Sequence, residues 1–160
     1  MGDRKGEECR CVQTSSPVRC AVLVQGGAVL TGHEDGMVRA WRCDGSSSWK
    51  ETDNARWKVQ IKMHNTAVCC LIPSRTGRVW TASSAGSIRQ IGLDGARTDV
   101  EAKAPASKSA HSTAINAAVV TRADLLWTGA RHVKIWTATG EWRQSIQDHP
   151  GKVLDIALQM

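Results

Sequence analysis

Apolar positions come in short runs, and each run is closed by small polar residues. Val18-Arg19-Cys20-Ala21-Val22-Leu23 is followed by Ala28-Val29-Leu30-Thr31-Gly32 and then by Met37-Val38-Arg39-Ala40-Trp41. Gly26-Gly27 and Asp35-Gly36 lie in the gaps between them. Short runs rich in Val, Ile and Trp between turn residues are strand chemistry with hairpin connections. No stretch carries a convincing 3.6-residue period, so no helix is expected.

The pattern repeats. Val29-Leu30-Thr31-Gly32, Val79-Trp80-Thr81-Ala82 and Leu126-Trp127-Thr128-Gly129 read alike, and Thr31, Thr81 and Thr128 stand 50 and 47 apart. Upstream, apolar runs begin at Val18, Val68 and Ile115 with the same separations. Downstream lie Met37 to Trp41, Ser87 to Ile91 and His132 to Trp136, each followed four residues later by Gly45, Gly95 or Gly140. A second set of landmarks is in phase: Trp57, Ile61, His64 and Val68 have offsets of 4, 3 and 4, and so have Trp142, Ile146, His149 and Val153. Four antiparallel strands in a unit of this length match the period of a propeller blade.

The segment Leu30-Thr31-Gly32-His33-Glu34-Asp35-Gly36-Met37-Val38-Arg39-Ala40-Trp41 resembles the core of a WD40 repeat. So do the His-x3-Val or His-x3-Ile openings at His64, His111 and His149. The resemblance implies an all-β fold of WD40-type β-propeller blades. It also implies a bracing network in each blade, made of a leading His, a second-strand Ser/Thr, a turn Asp and a third-strand Trp. The residues that match are Thr31, Asp35 and Trp41 in the first unit, His64 and Thr81 in the second, and His111, Thr128 and Trp136 in the third, with His149 opening the next. Thr14 stands where the first unit would have its leading His, and Ala85 and Ile91 replace the second unit's Asp and Trp. The wording from Thr31 to Arg42, with Met63-His64, Leu126 to Gly129 and Val133 to Trp136, is also similar to the WD40 region of the large inositol-polyphosphate 5-phosphatases. In those enzymes a propeller precedes an Mg²⁺-dependent phosphatase domain, and no catalytic segment of that kind stands in this chain.

The expected organisation is a flexible leader over 1–14 and WD40 repeats over 15–160. Blades are expected at about 15–63, 64–110 and 111–148, with the first strand of a fourth over 149–160. About three blades cannot close a ring that normally needs four to eight. An incomplete propeller leaves two blade faces bare, so further blades or another chain are expected to complete it. Ser46–Asn54 and Thr98–Ala110, rich in Ser, Ala and charge, are expected as surface insertions.

Charge changes this picture little. Twenty-one Lys and Arg against 15 Asp and Glu leave +6, spread along the chain without a basic run. That distribution argues against a nucleic-acid partner. No apolar stretch has the length of a membrane-spanning helix. Six cysteines lack C-x-x-C pairing, and Cys20 and Cys70 fall at one point of the repeat, so reduced, structural thiols and a cytoplasmic location are expected.

No phosphate-binding loop, dinucleotide fingerprint, zincin helix or nucleophile elbow is present, so no catalytic residue, metal or cofactor is assigned. His33-Glu34-Asp35 sets an imidazole beside two carboxylates, but its place is a tight turn. Arg39, Arg89 and Lys134 share one repeat position, two before the Trp slot, and are expected to lie over neighbouring strands. The expected function is a non-catalytic, protein-binding scaffold. The contact candidates are the loops between second and third strands: His33 and Glu34, Ser83 and Ser84, Arg131 and His132. The alternative is the regulatory propeller segment of an inositol-polyphosphate 5-phosphatase.

Overall fold

The computed structural model describes residues 13–24, 27–43, 49–51, 60–92, 97–102, 110–147 and 151–157. Among these there are thirteen strands and no helix. The first sheet holds β1 (Val18–Leu23), β2 (Ala28–His33), β3 (Met37–Cys43), β4 (Trp49–Glu51) and β5 (Gln60–Lys62). The second holds β6 (Val68–Pro73), β7 (Arg78–Ser83), β8 (Ile88–Gly92) and β9 (Arg97–Ala102). The third holds β10 (Ala117–Val120), β11 (Leu126–Gly129), β12 (Val133–Trp136) and β13 (Trp142–Ile146). Each sheet is an antiparallel meander in chain order, except that β5 pairs with β3 beside β4 in the first, and the three are open.

The registers are equivalent from blade to blade. Thr31 pairs with Arg39, Thr81 with Arg89 and Thr128 with Lys134. Strands alternate their side chains between faces, so one face of each sheet looks back along the chain and the other looks forward. Two apolar layers result. Val24, Leu30, Val38 and Ala40 of the first blade meet Leu71, Val79 and Ile91 of the second. Trp80, Ala82 and Ile88 of the second meet Ile115, Leu126 and Trp136 of the third. Burial between blades is therefore the main stabilising contribution, at roughly 25 cal/mol per Å² of apolar surface.

Two expectations about loops are corrected. β4 lies inside the expected insertion Ser46–Asn54, and β9 runs through the start of Thr98–Ala110. Their polar composition reflects position at the outer edge, where pairing with β3 and β8 supplies the order that apolar patterning does not. The first blade's outer strand comes in two pieces: Trp41 pairs with Glu51 and Arg39 with Gln60, leaving Ala40, which pairs inward with Leu30, without a rung on its outer side. The expected fourth-blade strand makes no ladder over Lys152–Ala157, although Val153 N donates to Ala130 O at 2.8 Å. Most of the expected leader, the Asp44-Gly45 and Asp94-Gly95 turns, Trp57 and His149 lie outside the described residues.

Candidate functional site

Two turns of the repeat set the rim geometry. Gly36 and Gly86 have φ of +78° and +82°, the left-handed region that suits glycine. Each is also pressed on the loop that opens the next blade: a Cβ on Gly36 would lie 2.1 Å from His64 O, and one on Gly86 2.2 Å from His111 O. The contact is hydrogen-bonded. Met63 N and His64 N both donate to Gly36 O, and His111 N donates to Gly86 O. The third turn, Ala130-Arg131-His132, is shorter and is fastened instead through Ala130 O to Val153 N. Each rim loop is thus tied to its neighbour by backbone.

Below the rim lies the polar brace. In the third blade Trp136 Nε1 donates to Thr128 Oγ1 at 2.8 Å, His111 Nε2 lies 2.8 Å from the same oxygen, and the hydroxyl donates to Lys134 O at 3.4 Å. One donor and two acceptor sites of the hydroxyl are all used. In the second blade His64 Nε2 lies 2.8 Å from Thr81 Oγ1, and Thr81 donates to Arg89 O at 3.3 Å. Ile91 leaves that brace without an indole. The first blade is built differently. His33, two residues beyond Thr31 on the same strand face, puts Nε2 2.7 Å from Thr31 Oγ1, while Trp41 Nε1 donates to that oxygen at 2.7 Å. His33 Nδ1 lies 2.9 Å from Ser16 O, a carbonyl that can only accept, so Nδ1 carries a proton, and Thr31 Oγ1 also lies 3.5 Å from Arg39 O.

His33 is therefore part of the interior, with no exposed surface, and is corrected from a contact candidate to a structural one. Ser83 is also fully buried, with Oγ 2.7 Å from Ser87 Oγ. Asp35 stands apart from the Thr31 chain. Its carboxylate accepts from Met37 N at 3.0 Å and from Arg39 Nη2 at 2.8 Å. The Arg39 guanidinium, followed by the Met37 amide, holds the Asp35 carboxyl below its usual range. Sequence reasoning missed Ser87, whose Oγ lies 2.7 Å from His64 Nδ1, where the second turn has no Asp. A hydroxyl directly after the turn glycine is the signal that could have found it.

The three cations at one repeat position act as latches. Arg39 Nη2 donates to Ser15 Oγ at 3.2 Å, Arg89 Nη1 to Met63 O at 2.5 Å and Lys134 Nζ to Ala110 O at 2.7 Å. Each crosses from a third strand to the loop that opens its own blade. Burial pushes the Lys134 ammonium down, and burial, then Lys134, then His132, lower His111 to about 4. Of the contact candidates, Glu34 and Arg131 are exposed and Ser84 and His132 half-buried, with Glu34 3.6 Å from Arg19 in an exposed ion pair. Among the described residues no group of three or more His, Cys, Asp or Glu converges to hold a metal ion. Cys20, Cys69 and Cys70 are free thiols.

The profile of the IP5P C-F beta-propeller matches residues 2–99. The chain belongs to that family. Type I inositol polyphosphate 5-phosphatase 13 of Arabidopsis thaliana is 34% identical over 80 residues, which is 48% of this chain and 7% of that protein. The chain thus spans a small fraction of such a relative. Among solved structures, RRP9 WD40 repeats superpose with a TM-score of 0.69 at 14% identity, covering 90% of this chain and 42% of that one. The computationally designed Ika4 protein superposes at 0.68 with 16% identity, covering 92% of this chain and 83% of that one. These likenesses establish the WD40 propeller fold expected from the repeat.

Proposed function

We propose that this chain is a non-catalytic propeller segment of an inositol polyphosphate 5-phosphatase and that it serves as a docking platform for protein partners. The family match over residues 2–99 carries this reading. The geometry supports it. Rim loops tied onward through Gly36, Gly86 and Ala130 present Glu34, Ser84, Arg131 and His132 on a rigid frame. Loops held in that way are where binding usually resides. The three cations at the latch position, Arg39, Arg89 and Lys134, are spent on bracing the loops that open their own blades. Free thiols at Cys20, Cys69 and Cys70 support residence in a reducing compartment such as the cytoplasm.

Two assays test the proposal. The purified chain with inositol 1,4,5-trisphosphate and Mg²⁺ should release no phosphate above a protein-free control, and measurable release overturns the non-catalytic part. Proximity labelling in cells should lose the same set of neighbours in a Glu34→Arg, Ser84→Tyr, Arg131→Glu triple variant that keeps the wild-type melting temperature. An unchanged set overturns the rim as the docking surface.

A further inference from the structure

The segment that leads into β1 is clasped to the first rim turn through Ser16. Its carbonyl lies 2.9 Å from His33 Nδ1 and also accepts from Thr14 Oγ1 at 2.8 Å. Its hydroxyl accepts from Asp35 N at 3.2 Å. On either side, Pro17 O accepts from Glu34 N at 3.0 Å and Ser15 Oγ accepts from Arg39 Nη2 at 3.2 Å. Ser16 is buried, yet Pro17, Val18 and Arg19 directly after it are exposed. The clasp also has a seam. Val18 pairs with His33 and Cys20 with Gly32, and Arg19 is passed over between these rungs as a bulge. Residues up to Arg19 can therefore lift while Cys20–Leu23 stay in the sheet.

The sequence at this clasp carries a chemistry of its own. Prolines stand at 17, 73, 105 and 150, and only Pro17 follows a hydroxyl residue. Arg19 stands two residues beyond it. A serine followed by a residue without an N–H, and then by a cation two residues further on, is the pattern that proline-directed protein kinases read.

We propose that Ser16 is a phosphorylation site for such a kinase and that the phosphate unclasps the first rim turn. In the step itself Ser16 Oγ attacks the γ-phosphorus of ATP. The new O–P bond forms as the bond to the bridging oxygen breaks, ADP leaves, and the hydroxyl proton passes to the kinase's base. The kinase takes the fraction of chains whose leading segment has lifted at the seam. The phosphate then bars its return. It adds a charge of about −1.5 to −2 at pH 7 beside the Asp35 carboxylate. The nearest cations are engaged: Arg39 with both Asp35 oxygens, Arg19 with Glu34, and Lys62 with Asp35 O. Holding the phosphate in the buried seat would break one of these pairs. Released to solvent instead, it draws the Ser16 carbonyl off His33, whose fully buried Nδ1–H loses its acceptor.

The test treats the whole 160-residue chain with a cyclin-dependent kinase and Mg-ATP and maps phosphate by tandem mass spectrometry. Ser16 should be phosphorylated in the wild type, and the Ser16→Ala and Pro17→Ala chains should take no phosphate there. Amide hydrogen exchange by NMR then reads the clasp. In the phosphorylated chain the Glu34 and Asp35 amides should exchange about ten-fold or more faster, while Thr81 and Ile88 of the second blade keep their protection. The unmodified Ser16→Ala chain keeps both backbone carbonyls, so its Glu34 amide should stay protected, which separates the effect of the phosphate from loss of the hydroxyl. No phosphate, or phosphate on Ser15 or Thr14 alone, overturns the site. Phosphorylated Ser16 with Glu34 and Asp35 as protected as before overturns the unclasping, and so does loss of protection throughout the second blade. No binding partner enters these measurements, so their outcome is independent of the rim-docking reading.

Discussion

His33 hydrogen-bonds the hydroxyl of Thr31 at 2.7 Å from two residues along the same strand. The second and third blades obtain the equivalent imidazole from outside, His64 and His111 each standing 17 residues before its threonine. The first blade therefore builds its brace from within its own hairpin. It borrows only the Ser16 carbonyl from the segment that leads into β1.

The hydroxyl should matter most where it is driest. Thr128→Val strands the Trp136 indole N–H and the His111 ring in a fully buried site and should cost about 2–4 kcal/mol. Thr31→Val, beside a half-buried Trp41, should cost less. Urea unfolding of both variants measures the order.

His111 predicts a pH dependence. Its folded value of about 4 lies below the usual 6.5, so the unfolded chain binds the extra proton first. Stability from this group is complete above about pH 6.5 and is lost as pH falls toward 4, on the order of 3 kcal/mol in full. His111→Gln should flatten the stability profile between those limits. Lys134→Met removes a nearby positive charge and should raise the His111 titration midpoint, readable by NMR of the imidazole protons.

Glycine substitutions separate strain from collision. Gly27, Gly36 and Gly86 all have positive φ, but only the last two press on a carbonyl. Gly27→Ala should cost about 1 kcal/mol. Gly36→Ala and Gly86→Ala should cost well over about 2 kcal/mol. Thermal melts of the three variants check the contrast.

Burial pushes the Cys20 thiol up to about 11 and the Cys70 thiol to about 12. At pH 8 almost no thiolate is present at either, so both should alkylate slowly with iodoacetamide in the folded chain and rapidly in urea. Peptide mapping after timed labelling decides this.

Much of this architecture is legible in the chain because one repeated strand pair is buried on both faces. Thr31, Thr81 and Thr128 mark it, and each pairs at the same register with Arg39, Arg89 or Lys134. The outer strands are not legible, since β4 and β9 owe their order to pairing with β3 and β8 and not to an apolar pattern. His33 is hidden for another reason. Strand alternation puts residues 31 and 33 on one face, but it does not say that the second of them will turn inward to bond the first. Ser87 is hidden likewise, because a serine after a turn glycine reads as solvent-facing until His64 is placed beside it.

The interruption of the first blade's outer strand has counterparts. β9 slips register opposite Arg89 and Gln90, and β13 opposite Ile135 and Trp136, within one position of Ala40 in the aligned repeats. At this level every blade tolerates surplus chain. Because Glu51 and Gln60 return to rungs on either side of Ala40, the departure and arrival points are neighbours, and lengthening the excursion costs only slowly growing loop-closure entropy. The propeller thus carries a natural splice point, where new sequence, or an inserted reporter domain, can be added without touching the layers between blades.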